Sequence, residues 1–196
     1  LILESRAGDG ANSKATLGLG KYADWTDYAP INPPWPMPMK DQDRWQPQLG
    51  ANNQPQQFLT PHWGMVKPFT LSWAGQYRPP CPATVGNKAF RIQAEEILNY
   101  SSQLCDKQKI IAEFWGGMHE DRFEDSPKDG DYRPATPAEQ WSRIARYLSK
   151  TRAYRNSMDI KMFFALSNAL LDAGIAAWDA KAHYDYLRPI SAIRNL

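Results

Sequence analysis

Twelve of the sixteen prolines fall between Pro30 and Pro82, and that density rules out a long helix or a central strand there. Proline lacks the amide hydrogen both structures need, and its ring fixes φ. Asn32-Pro33-Pro34-Trp35-Pro36-Met37-Pro38 reads as extended or polyproline-like chain. Arg44-Trp45-Gln46-Pro47, Thr60-Pro61-His62-Trp63-Gly64 and Lys67-Pro68-Phe69 repeat the same chemistry. One reading is a ligand for proline-recognition domains. The other is an ordered wrap, with Trp and Phe anchors pinning an irregular segment to a helical core. The interleaved aromatics favour the wrap, because disordered linkers are aromatic-poor. Residues 1–87 are therefore expected to be an irregular Pro/Trp-rich arm, with little regular structure beyond a short hairpin.

From about residue 88 the periodicity turns helical, and residues 88–196 read as a partial helical bundle. Phe90, Ala94, Ile97 and Leu98 make one stripe. Asp106 is a candidate N-cap for a helix to about Trp115, with Ile110, Ile111, Phe114 and Trp115 on one face and Gly116-Gly117 as its stop. Thr136-Pro137-Ala138-Glu139 combines an N-cap Thr, Pro at the first helical position and Glu at the capping-box position. Trp141, Ile144, Ala145 and Leu148 follow as its buried stripe. The acid-rich His119–Asp125 stretch has oxygen donors for a cation but no regular calcium-loop spacing, so it reads as a surface loop. Glu113 and His119 as an acid/base pair give way to a solvated helix end.

The last long helix is expected from about Met158 to Tyr184, apolar over most of its circumference and hence central. Lys161, Asn168, Asp172 and Asp179 share one narrow stripe at 100° per residue. Two readings stay open for that stripe: a solvated face, or a buried polar ladder against the proline-rich wrap. Lys181 falls almost opposite it, on the face of Leu170, Gly174 and Ala177, where a charge must end at water or at a partner. Arg188 lies seven positions on, about 10 Å of helix rise, on the same face. Pro189 disfavours α geometry at Arg188, so the helix is expected to end just before it. Two long cations can then converge beyond the helix end on a tetrahedral or trigonal oxyanion, which suits a guanidinium fork and a compact ammonium. The blander account is that cations in a last turn satisfy the helix dipole, that Lys181 pairs with Asp185 at i,i+4, and that Arg188 is a solvated loop residue.

Lys181-x6-Arg188-Pro189, with Trp178 three residues before the lysine, resembles the first signature block of the vanadium-dependent haloperoxidases. This family shares a superfamily with type-2 phosphatidic acid phosphatases and bacterial acid phosphatases. The flanks Leu171-Asp-Ala-Gly-Ile-Ala-Ala-Trp-Asp-Ala-Lys181 and Arg188-Pro-Ile-Ser-Ala-Ile-Arg194 are similar to the haloperoxidase-like branch in particular. So are Gln108-Lys-Ile-Ile-Ala-Glu-Phe-Trp115, the Pro/Trp-rich segment before the bundle, and Arg6-Ala-Gly-Asp9-Gly10-Ala-Asn12 after the end of an earlier helix. The resemblance implies an all-α helical bundle, here incomplete at both ends. It also implies vanadate as cofactor, with phosphate able to occupy the same place. Lys181 and Arg188 would bind the oxyanion oxygens as catalytic and cofactor-binding residues, and Trp178 would line the pocket.

Pro-Ser-Gly-His and Ser-Arg-x5-His, the family's second and third blocks, are absent, and His62, His119 and His183 match neither. No protein ligand to a metal is therefore assigned in this chain. The implied activity is peroxide-driven halide oxidation at a vanadate centre, with this chain supplying part of the site. An acid or lipid phosphatase of the same superfamily is the alternative enzyme, and a non-catalytic helical scaffold the alternative from another class. The implied partners are the remainder of the same protein or a companion chain, a small-molecule substrate, and a second copy in a homo-oligomer. A net charge of +2 argues against nucleic acid and membrane surfaces. No uninterrupted apolar run reaches the length of a transmembrane helix. Cys81 and Cys105 either pair in an oxidising compartment or remain separate thiols; a secreted or periplasmic location is the expectation.

Overall fold

The computed structural model describes residues 2–18, 20–50, 52–116, 136–152, 156–194 and 196. Its helices are α1 (Ile2–Ser5), α2 (Lys88–Ser102), α3 (Asp106–Gly116), α4 (Pro137–Arg152), α5 (Asn156–Tyr184) and α6 (Pro189–Arg194). No strand forms among the described residues. The only β pairings there are isolated antiparallel bridges, Arg44 with Tyr186 and Leu49 with Pro55. The fold is all-α, as the periodicity implies. His119 and the 119–125 loop lie outside the described residues.

The chain divides into two compact units. One comprises 1–99 and 171–196, the other 100–170. The arm belongs to the first unit and is an ordered wrap. It holds two 3-10 turns, Pro61–Met65 and Ala74–Tyr77. The fold-back expected of it is the Leu49–Pro55 bridge, closed by Gly50 N–H to Gln54 O (2.9 Å) and Gln56 N–H to Gln48 O (2.8 Å). The arm is held by buried side-chain amides in place of a ladder. Asn32, 1% exposed, donates to Asp41 O and Arg44 O and accepts from the Lys40 and Asp41 amides. Asn12, φ 56°, does the same for residues 17–23, donating to Gly20 O and Ala23 O and accepting from Leu17 N–H. Each supplies partners for backbone groups that proline-rich chain cannot pair with itself.

Two apolar clusters fix the arm to the helices of this unit. Ala11 and Val66 pack with Ile175 of α5, which is fully buried, and with Trp63, Ala74 and Leu171. Phe90 of α2 packs with Leu187 and Ala192, joined by Ala83, Val85 and Tyr186. The polar stripe of α5 divides: Asp172 and Asp179 form the ladder against the arm, and Lys161 and Asn168 do not. Asp172 accepts the amides of Phe69 (2.6 Å), Thr70 (2.6 Å) and Leu71 (3.1 Å). Asp179 takes a two-bond ion pair from Arg78, both at 2.8 Å. Asn168 turns back onto Phe164 O within the helix, and Lys161 is exposed. At 29 residues, with a mean hydropathy of 1.4 in its most apolar window, α5 is long and apolar enough to cross a membrane. That corrects the reading from uninterrupted runs, which stopped at every charge. Two of those charges, Asp172 and Asp179, are bound by the arm.

In the second unit the capping box forms as read: Thr136 N–H reaches Glu139 Oε2 (2.6 Å) and Glu139 N–H reaches Thr136 Oγ1 (3.3 Å). At α3 the cap lies one residue earlier than expected. Asp106 is the first helical residue, and Gln108 Oε1 accepts the Cys105 N–H at 2.9 Å. Phe114, Trp115 and Trp141 form an aromatic chain, and Gln140, 2% exposed, donates to Phe114 O. Of the α4 stripe expected to be buried, Ala145 is buried, Ile144 and Leu148 are half-buried and Trp141 is 46% exposed; the apolar face of α3 is open, with Ile110 58% exposed. Both cysteines are free and exposed.

Candidate oxyanion-binding site

α5 ends at Tyr184, where its apolar pattern places the end, four residues before Arg188 and ahead of the stop that Pro189 alone would impose. The stop is Asp185, whose φ of 43° is left-handed backbone. The arm holds that conformation. Trp45 N–H donates to Asp185 O (2.8 Å), Arg44 Nη1 to Tyr184 O (2.9 Å), and the Tyr28 hydroxyl to Asp185 Oδ1 (2.7 Å). The Asp185 carboxyl is buried, which raises its pKa against the opposing pull of Tyr28 and Arg44. The same burial and the adjacent Asp185 push the Tyr28 phenol far above its ordinary range. Leu187 N–H then donates to Asp43 O, and α6 starts at Pro189.

Lys181 and Arg188 therefore approach each other around a turn instead of along a helix face. Lys181 Nζ lies 3.9 Å from the centroid of the Trp178 ring, a cation–π contact. Trp178 is fixed by its own indole N–H, which donates to Leu59 O at 2.8 Å. The Lys181 pKa is lowered, first by burial and second by the charge of Arg188. Arg188 is stacked 5.8 Å from the Trp45 ring centroid and donates Nη1 to Gln56 Oε1 at 2.8 Å. Beneath it Tyr28, Trp45 and Phe58 form an aromatic cluster with centroids 4.9–6.5 Å apart. The Trp45 indole N–H is buried with no acceptor among the described residues. All three residues singled out from the sequence thus lie in one corner, with two cations near enough to repel and, among the described residues, no carboxylate bonded to either.

Trp45, Gln56 and Phe58 of the arm complete this corner and were not singled out for it. Trp45 carried a signal as an anchor next to Pro47, whereas Gln56 stands in a glutamine-rich stretch with none. His62 is fully buried with Nδ1 3.3 Å from Asp24 Oδ1, and His183 is exposed and edge-on to Tyr184 at 4.8 Å. No cluster of three His, Cys, Asp or Glu that could hold a metal ion exists among the described residues. The N–H donors of Lys181 and Arg188 suit the oxygens of an anion.

Residues 161–196 match the family model of the VCPO second helical-bundle domain. An apo-type bacterial vanadium-dependent chloroperoxidase aligns over 98% of this chain and 42% of its own, with 24% identity and a TM-score of 0.74. The holo-type structure of a bacterial vanadium-dependent chloroperoxidase aligns over 99% and 42%, with 22% identity and a TM-score of 0.72. A bacterial vanadium-dependent iodoperoxidase aligns over 81% and 37%, with 26% identity and a TM-score of 0.62. None of the curated proteins matches the chain. The chain spans about two fifths of the length of the solved structures it matches. The resemblance read around Lys181 and Arg188 is thus shown: this chain has part of the all-α fold of the vanadium-dependent haloperoxidases, and its last 36 residues match the VCPO second helical-bundle domain.

Proposed function

We propose that this chain contributes the first oxyanion-binding block of a vanadium-dependent haloperoxidase-like enzyme, one that oxidises halide with peroxide. The observation that supports it is the approach of Lys181 and Arg188 around the Asp185 turn, with Trp178 under the lysine. Bound vanadate would supply Lewis-acid activation of peroxide. Lys181 and Arg188 hold the negatively charged oxygens, Arg188 through N–H groups not engaged by Gln56. Trp178 and Trp45 keep both cations oriented and exclude water from one side of each. The lowered Lys181 pKa eases proton donation from Nζ to an oxygen gaining charge. Side chains from the remainder of the protein or a companion chain complete the site, and phosphate competes for it.

The test is bromide oxidation by the protein that contains this chain, with and without vanadate, beside Lys181→Ala and Arg188→Ala. Each variant is expected to lose about 100-fold in kcat/KM, as removal of one preorganised donor does. A rate independent of vanadate refutes the proposal. Hydrolysis of a phosphate monoester without halide oxidation moves the same residues to a phosphatase. Loss of neither activity with the variants, and no vanadate binding, leaves a scaffold.

A further inference from the structure

A cleft lies between the arm and α6. Trp35, Met37 and Met39 of the arm, with Gln46, Ser191 and Arg194, line this cleft of about 230 Å³. That is below the usual range of drug-sized pockets, and leaves room for one ring and one small polar group. Two walls are apolar and polarisable, an indole and two thioethers, which suit the face and edge of an aromatic ring.

The polar groups are few and held in place. The Arg194 guanidinium carbon sits 4.4 Å from the Trp35 ring centroid, and Nη1 donates to Gln48 Oε1 at 2.7 Å. Gln48 in turn donates Nε2 to Ser191 Oγ at 3.3 Å. Stacking and one hydrogen bond fix the guanidinium plane, and its other N–H groups have no partner among the described residues. Gln46 is 3% exposed, and its amide nitrogen donates to Pro33 O (3.2 Å) and Met37 O (2.8 Å). A pre-oriented guanidinium matches a planar carboxylate with two parallel bonds.

We propose that this cleft binds a small aromatic carboxylate, with the ring between Trp35, Met37 and Met39 and the carboxylate on Arg194. Neither Lys181, Arg188 nor Trp178 takes part, so the inference stands apart from the oxyanion reading.

The experiment is a benzoate titration of this chain, followed at the methionine methyl resonances. Saturable shifts at Met37 and Met39 with a Kd of about 1 mM are expected. Arg194→Gln is expected to weaken binding at least about tenfold, and Arg194→Lys severalfold, because the ammonium keeps the charge and loses the fork. Acetate, without the ring, and benzyl alcohol, without the charge, are expected to bind at least about tenfold more weakly than benzoate. Should Arg194→Gln fail to fold, by far-ultraviolet circular dichroism, the two analogues decide alone. The proposal is overturned by the absence of saturable shifts, by equal binding of either analogue, by a folded Arg194→Gln that binds as wild type, or by displacement with equimolar phosphate.

Discussion

Asp172 is the sharpest test of the view that the arm is part of the fold and not a tether. Its carboxylate is 5% exposed and accepts three consecutive amides, of Phe69, Thr70 and Leu71. Burial alone would raise its pKa; the three N–H groups outweigh that and hold it below the ordinary carboxylate value. Hydrogen bonds to a charged group each contribute about 1.5–3 kcal/mol. Phe69 and Thr70 are exposed, so water replaces much of what their amides lose, and the low end applies. At that end the three bonds make Asp172→Ala cost about 4.5 kcal/mol in all, a fall in Tm of about 9–18 °C for a chain of this size. Asp172→Asn keeps one acceptor oxygen and is expected to cost about 2 kcal/mol. The sign with pH follows from the depressed folded pKa. The contribution is complete above the unfolded value of about 3.9 and is lost as pH falls through the folded one, so wild type and Asp172→Ala converge in acid. Urea unfolding at pH 7 and pH 3 measures the difference, and hydrogen exchange reads the amides of residues 69–71 directly. A loss below about 0.5 kcal/mol at pH 7, or unchanged protection of those amides, refutes the reasoning, because a surface substitution would do as little.

Two further changes probe the seams around the oxyanion corner. Tyr28→Phe removes the donor to buried Asp185 and is expected to cost about 1–2 kcal/mol at pH 7 by urea unfolding. Burial already raises the Asp185 pKa, and losing Tyr28, which favours the ionised form, raises it further. The cost therefore shrinks as pH falls through the two folded values, both of which lie above the ordinary carboxylate one; a downward move of the Asp185 carboxyl titration by NMR contradicts this. Gly64→Ala would place a Cβ 2.6 Å from both Cα and N of Asp179, backbone atoms that no rotamer change can relieve. About 3 kcal/mol of destabilisation is expected, the upper part of the overpacking range, and a variant within about 0.5 kcal/mol of wild type shows that the 3-10 turn does not press on α5.

What could be read from the sequence was local. Proline density made the arm irregular whatever it packed on, and its aromatics marked it as packed. The capping box at Thr136 formed because all its parts lie within four residues. The stripe of Asp172 and Asp179 was visible as geometry, but its partners Phe69 and Arg78 lie about 100 residues away, a distance periodicity does not cross. The same gap hid the reason for the end of α5. The apolar pattern placed that end at Tyr184 and Pro189 supplied a stop next to Arg188, whereas the chain turns at Asp185 because Trp45, Arg44 and Tyr28 supply partners for groups that the helix would otherwise pair. Amphipathic stripes on α3 and α4 told which faces are apolar, not whether this chain covers them: Ile110 and Trp141 remain open.

The position of the candidate site follows from these long-range bonds. The i,i+7 spacing of Lys181 and Arg188 suggested convergence for a reason that does not hold, since no helix joins them. They meet because the arm makes the turn: Asp185 is held left-handed by Tyr28 and Trp45, and Arg188 is held by Gln56 over the same Trp45. Two like charges brought together repel, which adds to burial, the larger cause, in lowering the Lys181 pKa. A fold that holds Arg188 with a hydrogen bond to Gln56, and Lys181 over an indole that Leu59 O fixes, keeps the charge pair whether or not an anion is present. A bound anion relieves the repulsion without having to order the side chains first, which is the energetic basis of a preorganised oxyanion site.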